Sequence, residues 1–251
     1  MDELLDQMDA RGVTFAPASG RQVWTLIDMF PGRPGMTVIG ENGGIVMRDG
    51  VEVSSSPLDA PTMREAVRLV REATSGPDGI DGGLVMCGKQ FAYVERTDDR
   101  FVDGVLPYYH RTKRIDDQIA IIDAIEAGEI DDAIVKLAVY VIGPVQTLAE
   151  ATLARFADTH QYAVSGANWA DLQIRGVDKG SAVRDLQRFL GVDRSQTAVF
   201  GDAGNDLSMM SEGDLSFAMA NASQDVIEAA RFIAPSNNEA GVAQVLHTLL
   251  G

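Results

Sequence analysis

A chain of 251 residues with 45% apolar content is long enough to bury one large domain or two smaller ones. Its formal charge of −16, without clustered Lys and Arg, repels polyanions, so neither nucleic acid nor an anionic membrane surface is an expected partner. No run approaches the ~20 continuous apolar residues of a membrane span, and the N-terminus MDELLDQMDARG is acidic where a signal peptide is basic, which predicts a cytoplasmic protein. In chain order, LLDQMDARG carries Leu4, Leu5 and Met8 at helical spacing with Gly12 as a stop, and VTFAPA reads as a buried strand ending at Ser19. GRQVWTLIDMF has a helical period, MTVIG is a short strand, and the turn ENGG leads into a hairpin, GIVMRDGVEV.

From about Ser54 the texture changes. SSSPLDAP is a loop, Thr62–Thr74 an amphipathic helix, SGPDGIDGG a glycine-rich break, and the stretch near Asp116–Glu129 helical. VKLAVYVIG reads as a strand, LAEATLARFAD as a helix, and YAVSGANWADLQI as a strand pair. After Asp178 an α/β rhythm returns, with helix KGSAVRDLQRFLG, strand TAVF, an acidic loop, a helix, strand LSFAM, helix SQDVIEAARF, strand FIAP and a final helix through Leu250. The expected fold is therefore α/β, one domain split by an insertion: residues 1–50 and 172–251 against 51–171.

Cys87, the single cysteine, has no internal disulfide partner, and His110, His160 and His247 show no paired zinc spacing. The oxygen-rich run GDAGND is different. It follows the strand TAVF, so Asp202, Asn205 and Asp206 should project at the C-terminal edge of a parallel sheet, where open α/β folds bind ligands. Carboxylate oxygens favour Mg²⁺, which is held by one or two carboxylates, waters and substrate phosphate. The competing reading has Asp202 opening a turn and Asp206 capping a helix. Ser19 and Gly20, in PASGR, offer a hydroxyl and free N–H groups to an anion, or else Ser19 is a helix N-cap. Lys179 in DKGSA sits at a helix start, where the macrodipole already favours anions; it neutralises a phosphate or is simply solvated.

PASGR, DKGSA and GDAGND, in this order, resemble the haloacid-dehalogenase-like phosphatases of the Cof type, and ENGG and the tail FAMANASQDVIEAARFIAPSNNEAGVAQVL resemble that branch further. The resemblance covers residues 10–45 and 172–250, and the middle more loosely. It implies a Rossmann-like core with an inserted α/β cap, and Mg²⁺-dependent hydrolysis of a small phosphorylated substrate such as a sugar phosphate. It assigns Ser19, Gly20 and Asn205 to the phosphoryl group, Lys179 to catalysis, and Asp202 with Asp206 to the metal. The linkers near Ser54–Ser56 and Ile174–Asp178 would be hinges, and the cap, including Gly76–Gly83 and Tyr108–Lys113, would choose the substrate.

That family opens with DxDGT, whose first aspartate attacks phosphorus to give an aspartyl phosphate. No DxDGT occurs in the 251 residues. MDELLDQMDARG resembles the helix that follows the motif, and Asp2, Asp6 and Asp9 precede the wrong strand and are no substitutes. Two readings follow: a chain that starts downstream of the motif, or a catalytically silent protein that binds phosphometabolites. Whether it forms a homo-oligomer is left open.

Overall fold

The computed structural model describes residues 2–33 and 35–251. The chain opens with α1 (Asp2–Ala10), whose Leu4, Leu5 and Met8 pack with Leu246 near the C-terminus, and α2 (Val23–Asp28). An antiparallel sheet follows in the order β1 (Val38–Gly40), β2 (Ile45–Arg48), β3 (Val51–Ser55). Asp49 and Gly50, at φ 54° and 73°, form the two-residue turn between β2 and β3; positive φ at both positions matches the twist of a tight hairpin.

The inserted unit begins with α3 (Ala60–Thr74), started by the Asp59 carboxylate accepting from the Thr62 N–H at 2.9 Å. Then come β4 (Gly82–Gly88), β5 (Ala92–Val94), α4 (Asp99–Val105), β6 (Thr112–Arg114), α5 (Gln118–Glu126), β7 (Ile134–Val141), α6 (Gln146–Ala151), β8 (His160–Val164) and β9 (Trp169–Ile174). Its strands make one six-stranded sheet in the order β6-β5-β4-β7-β9-β8. One face packs on α3, α5 and α6 through Val67, Ile122 and Leu148; the other carries Phe101, Val105 and Tyr109.

The chain returns with α7 (Lys179–Leu190), closed by Gly191 in the left-handed conformation, then β10 (Ala198–Gly201), β11 (Leu215–Met219), α8 (Gln224–Ala229), β12 (Phe232–Ala234) and α9 (Gly241–Leu250). β10, β11 and β12 are parallel neighbours in that order. Ala182, Val183 and Leu186 of α7 join Ile39, Val46, Val199 and Met210 in the core between the sheets.

Several expectations need correction. VTFAPA is not a strand: only Ala18 bridges, to Ile39. Its apolar character was readable, but a strand exists only where a neighbour takes its N–H and C=O groups, and Pro17 has no N–H to give. Among the described residues β10 pairs with β11 alone, so its other edge is open. The acidic loop runs into a 3₁₀ helix, Gly204–Ser211, rather than an α-helix, and LAEATLARFAD breaks at Thr152. β3 pairs with β2, and β9 lies in the six-stranded sheet through Ile174. Segments 56–59 and 175–178 thus connect the elements of the six-stranded sheet to the rest of the chain.

Among the described residues no helix is long and apolar enough to cross a membrane. Cys87 is fully buried, 3.3 Å from the Tyr109 hydroxyl, and burial pushes its thiol well above its ordinary range. It is expected to resist thiol reagents at pH 8 and to react at once in denaturant; fast labelling of the native chain would contradict this packing.

Candidate active site

Asp202 follows the last residue of β10, at the C-terminal end of the parallel strands. Its Oδ2 accepts from the Asn237 Nδ2 at 2.6 Å, and its carbonyl accepts from the Ser223 N–H at 2.9 Å. Asp206 is buried. Its Oδ1 meets Lys179 Nζ at 2.6 Å, and its Oδ2 accepts from the N–H groups of Asp202 and Ala203 at 3.0 and 3.2 Å. Asp206 thus caps the 3₁₀ turn and binds the lysine at once. Lys179 is only 5% exposed, which removes the solvated reading. It is set by the start of α7, where the Asp178 side chain and Ser181 cap each other's backbone N–H.

Ser19 is placed by two backbone bonds, Ser19 N–H to Ile39 O and Ile39 N–H to Pro17 O, both 2.9 Å. Its hydroxyl accepts from the Arg21 N–H at 3.2 Å, whereas the N-cap of α2 is Gln22, so Ser19 is not a helix cap. The Gly20 N–H has no backbone or side-chain acceptor among the described residues.

The turn ENGG draws these pieces together. Glu41, Asn42 and Gly43 have φ of 51°, 52° and 96°, a left-handed run that costs about 1–2 kcal/mol at each residue other than glycine. The Asn42 N–H donates to Ser19 O at 3.0 Å, and its Oδ1 accepts from Asn205 Nδ2 at 3.1 Å. Its Nδ2 donates to Asp171 Oδ2 of β9 at 3.1 Å. Gly43 lies so close to Asp178 that a Cβ there would overlap the Asp178 carbonyl. Ser19, Gly20, Asn205 and the Asp206–Lys179 pair therefore share one neighbourhood with Asn42 at its centre. Asn42, Asp171 and Asn237 were not anticipated as members of it. The strained ENGG turn was the readable sign of the first; the other two approach from distant strands and loops.

A family model described as haloacid dehalogenase-like hydrolase matches residues 1–246. The chain belongs to this family. A haloacid dehalogenase-like hydrolase from B. subtilis superposes with a TM-score of 0.79 at 18% identity, covering 99% of this chain and 92% of the other. One from Bacteroides thetaiotaomicron gives 0.77 at 20%, covering 98% and 90%. Among curated relatives, an Escherichia coli K12 protein named 5-amino-6-(5-phospho-D-ribitylamino)uracil phosphatase is 32% identical over 247 residues, 97% of this chain and 86% of that protein. The haloacid dehalogenase-like fold, an α/β core with an inserted α/β unit, accounts for the split chain.

Within this haloacid dehalogenase-like site, Asp202 is the residue best suited to a divalent cation. It is half-buried, and among the described residues no donor reaches its Oδ1. Both Asp206 oxygens already have protein partners, which leaves that residue in support. Among the described residues no three His, Cys, Asp or Glu side chains converge as a metal cage. One or two carboxylates completed by water and phosphate is the arrangement Mg²⁺ ordinarily takes, so the residues present fit it. The aspartates of α1 are engaged elsewhere: Arg33 pairs with Asp6 and, at 2.8 Å, with Asp9, and donates to the Asp2 carbonyl at 3.0 Å. Of the two cap segments singled out in the sequence, 108–113 docks on α2, with the Tyr108 carbonyl accepting from Thr25 Oγ1 at 3.0 Å and the Tyr108 ring 4.8 Å from the Arg21 guanidinium. Gly79, Gly82 and Gly83 of the other line a separate hollow beside α3, with Arg71, Glu95 and Arg96.

Proposed function

We propose that this chain is a phosphomonoester hydrolase whose phosphoryl group is bound where Ser19, Gly20, Asn205 and Lys179 meet, with Mg²⁺ at Asp202 and Asp206 in support. The observation that carries this reading is the set of contacts that ties Ser19 and Asn205 to Asn42 and Lys179 to the neighbouring Asp206, with the Gly20 N–H unused and the Asp202 carboxylate half-open. An ammonium has three protons and Asp206 occupies one, so Lys179 retains donors for phosphoryl oxygens. The Gly20 N–H and the Ser19 hydroxyl orient those oxygens, and Asn205, held by Asn42, supplies its second amide proton. Bound Mg²⁺ would add positive charge to the same oxygens. The two carboxylates among these residues are otherwise assigned, Asp202 to the metal and Asp206 to Lys179, so the work of the group is binding, orientation and charge neutralisation.

Small phosphorylated metabolites, sugar phosphates or similar compounds, are the substrate class, and a cytoplasmic setting suits them. The E. coli relative's name specifies one such compound, a phosphorylated ribitylaminouracil. The segment 108–113, beside Arg21, is the part of the inserted unit best placed to meet the rest of the substrate.

The test combines binding with turnover. Saturating Mg²⁺, at 100 times its dissociation constant, stabilises a binding protein by about 2.7 kcal/mol. Asp202→Asn keeps the shape and the Asn237 contact but removes the charge, so most of that stabilisation should vanish from the melting curve. An equal Mg²⁺ shift in both proteins would move the metal elsewhere. Phosphate release from a panel of small phosphomonoesters then decides between hydrolysis and silent binding of the same ligands.

A further inference from the structure

The inserted unit sends a charged side chain into the core's phosphate-binding loop. Lys136, on β7, is 1% exposed and donates to the Gly20 carbonyl at 2.8 Å. It is paired with Glu41, also 1% exposed, at 2.6 Å, and lies 3.9 Å from Asp171 on β9. Apart from this ion pair the Glu41 carboxylate has no partner among the described residues. Burial pushes the Glu41 carboxyl up against the pull of Lys136. Burial disfavours the Lys136 ammonium too, but Asp171 and Glu41 outweigh it and keep the lysine charged.

Buried ion pairs of this kind are weak devices for stability, because apolar residues of the same volume often do as well or better. The backbone geometry supplies another reason for this one. A trans peptide points its C=O and its N–H in opposite directions. Asn42 N–H holds the Ser19 carbonyl, so the Gly20 N–H of that peptide is turned away from Asn42. Lys136 holds the Gly20 carbonyl, so the Arg21 N–H of the next peptide is turned to the Ser19 hydroxyl, where it is found at 3.2 Å. Glycine at position 20 has no side chain to restrict its backbone, so without these two anchors the loop would be free to rotate its donors away. Asp171 does the same for a side chain. By accepting from Asn42 Nδ2 it leaves Asn42 Oδ1 facing Asn205, which fixes the amide that faces the site.

We propose that Lys136 and Asp171, both carried by the inserted sheet, are positioning residues for the core's phosphoryl site: Lys136 aims the peptides of Gly20, and Asp171 aims Asn42 and through it Asn205. The proposal rests on the reading of Ser19–Gly20 as the phosphoryl-binding loop. Phosphate affinity is then a property of both units, set by how the inserted sheet seats on the core.

The experiment measures inorganic phosphate binding by calorimetry, with Mg²⁺ present, beside thermal melting, for the unaltered chain, Lys136→Met, Lys136→Met with Glu41→Met, and Asp171→Asn. Lys136→Met leaves Glu41 buried and unpaired, so both melting temperature and affinity should fall. The double variant removes both charges at similar volume and should recover melting temperature, while phosphate affinity stays about tenfold weaker, the worth of one charge-assisted hydrogen bond. Asp171→Asn, nearly isosteric, removes one of the charges that hold Lys136 and lets the Asn42 amide turn over, so melting temperature should fall somewhat and phosphate binding should weaken several-fold. Wild-type affinity in the double variant and in Asp171→Asn would overturn the proposal whatever their melting temperatures. Failure of the unaltered chain to bind phosphate would instead overturn the phosphoryl-site reading on which it stands.

Discussion

Replacing Lys179 with methionine is expected to lower the melting temperature by roughly 10 °C and to abolish inorganic phosphate binding. The ammonium and the Asp206 carboxylate are 2.6 Å apart, with side chains only 6% and 8% exposed. Removing one member of a buried pair costs about 3–5 kcal/mol, because the other charge is left unpaired. For a chain of this size each kcal/mol moves the midpoint by about 2–4 °C. Phosphate binding suffers for a separate reason, since Lys179 is the cation assigned to the phosphoryl oxygens. Adding Asp206→Leu to Lys179→Met removes the stranded charge but also the acceptor of the Asp202 and Ala203 N–H groups. The double variant should therefore recover only part of the lost stability. Full recovery would mean that Asp206 does not organise the loop, and unchanged phosphate binding in Lys179→Met would remove that residue from the site.

Much of this arrangement was legible because it is local. The helix start at DKGSA, the β2–β3 hairpin and the acidic loop after β10 are each written in a few consecutive residues. The split of the chain could be read as well, since a change of texture at both ends of an insertion is visible in one dimension. What could not be read depends on partners far away in sequence. VTFAPA has the composition of a strand, but a ladder needs a neighbour, and only Ala18 finds one. Residues 84–115 carry no pattern that assigns them. There β4 is buried along its whole length, so it lacks the alternation of a half-exposed strand, and β5 and β6 are three residues each. Lys136 sits in VKLAVYVIG as a single charge in an apolar run. Its partners Glu41 and Gly20 lie about a hundred residues upstream, and no periodicity connects them.

The same reasoning makes Gly43→Ala the most disruptive single-methyl change expected near the site. Gly43 has φ +96°, where an L side chain is strained, and its Cβ would overlap the carbonyl of Asp178 and come within 3.1 Å of the Lys179 nitrogen. Those atoms cannot give way easily. They begin α7, and they are tied by the Ser181 N–H to Asp178 Oδ1 at 2.7 Å and the Asp178 N–H to Ser181 Oγ at 3.0 Å. Overpacking costs about 1–3 kcal/mol and the backbone strain adds about 1–3, for a loss of about 3 kcal/mol and a midpoint roughly 10 °C lower. The displacement also separates Asn42, one residue before Gly43, from Asn205, and shifts Lys179 against Asp206. Phosphate and Mg²⁺ affinities should therefore fall together, which a purely thermodynamic weakening of the core would not produce in the protein that remains folded. Gly176→Ala is the control: Gly176 has φ +80° but nothing within 4 Å of its Cβ position, so it isolates the strain from the clash. That variant should lose about 1 kcal/mol and keep both ligands. Equal losses at the two positions would show that the contact between Gly43 and the start of α7 contributes nothing, and that the turn does not hold the two halves of the site in register.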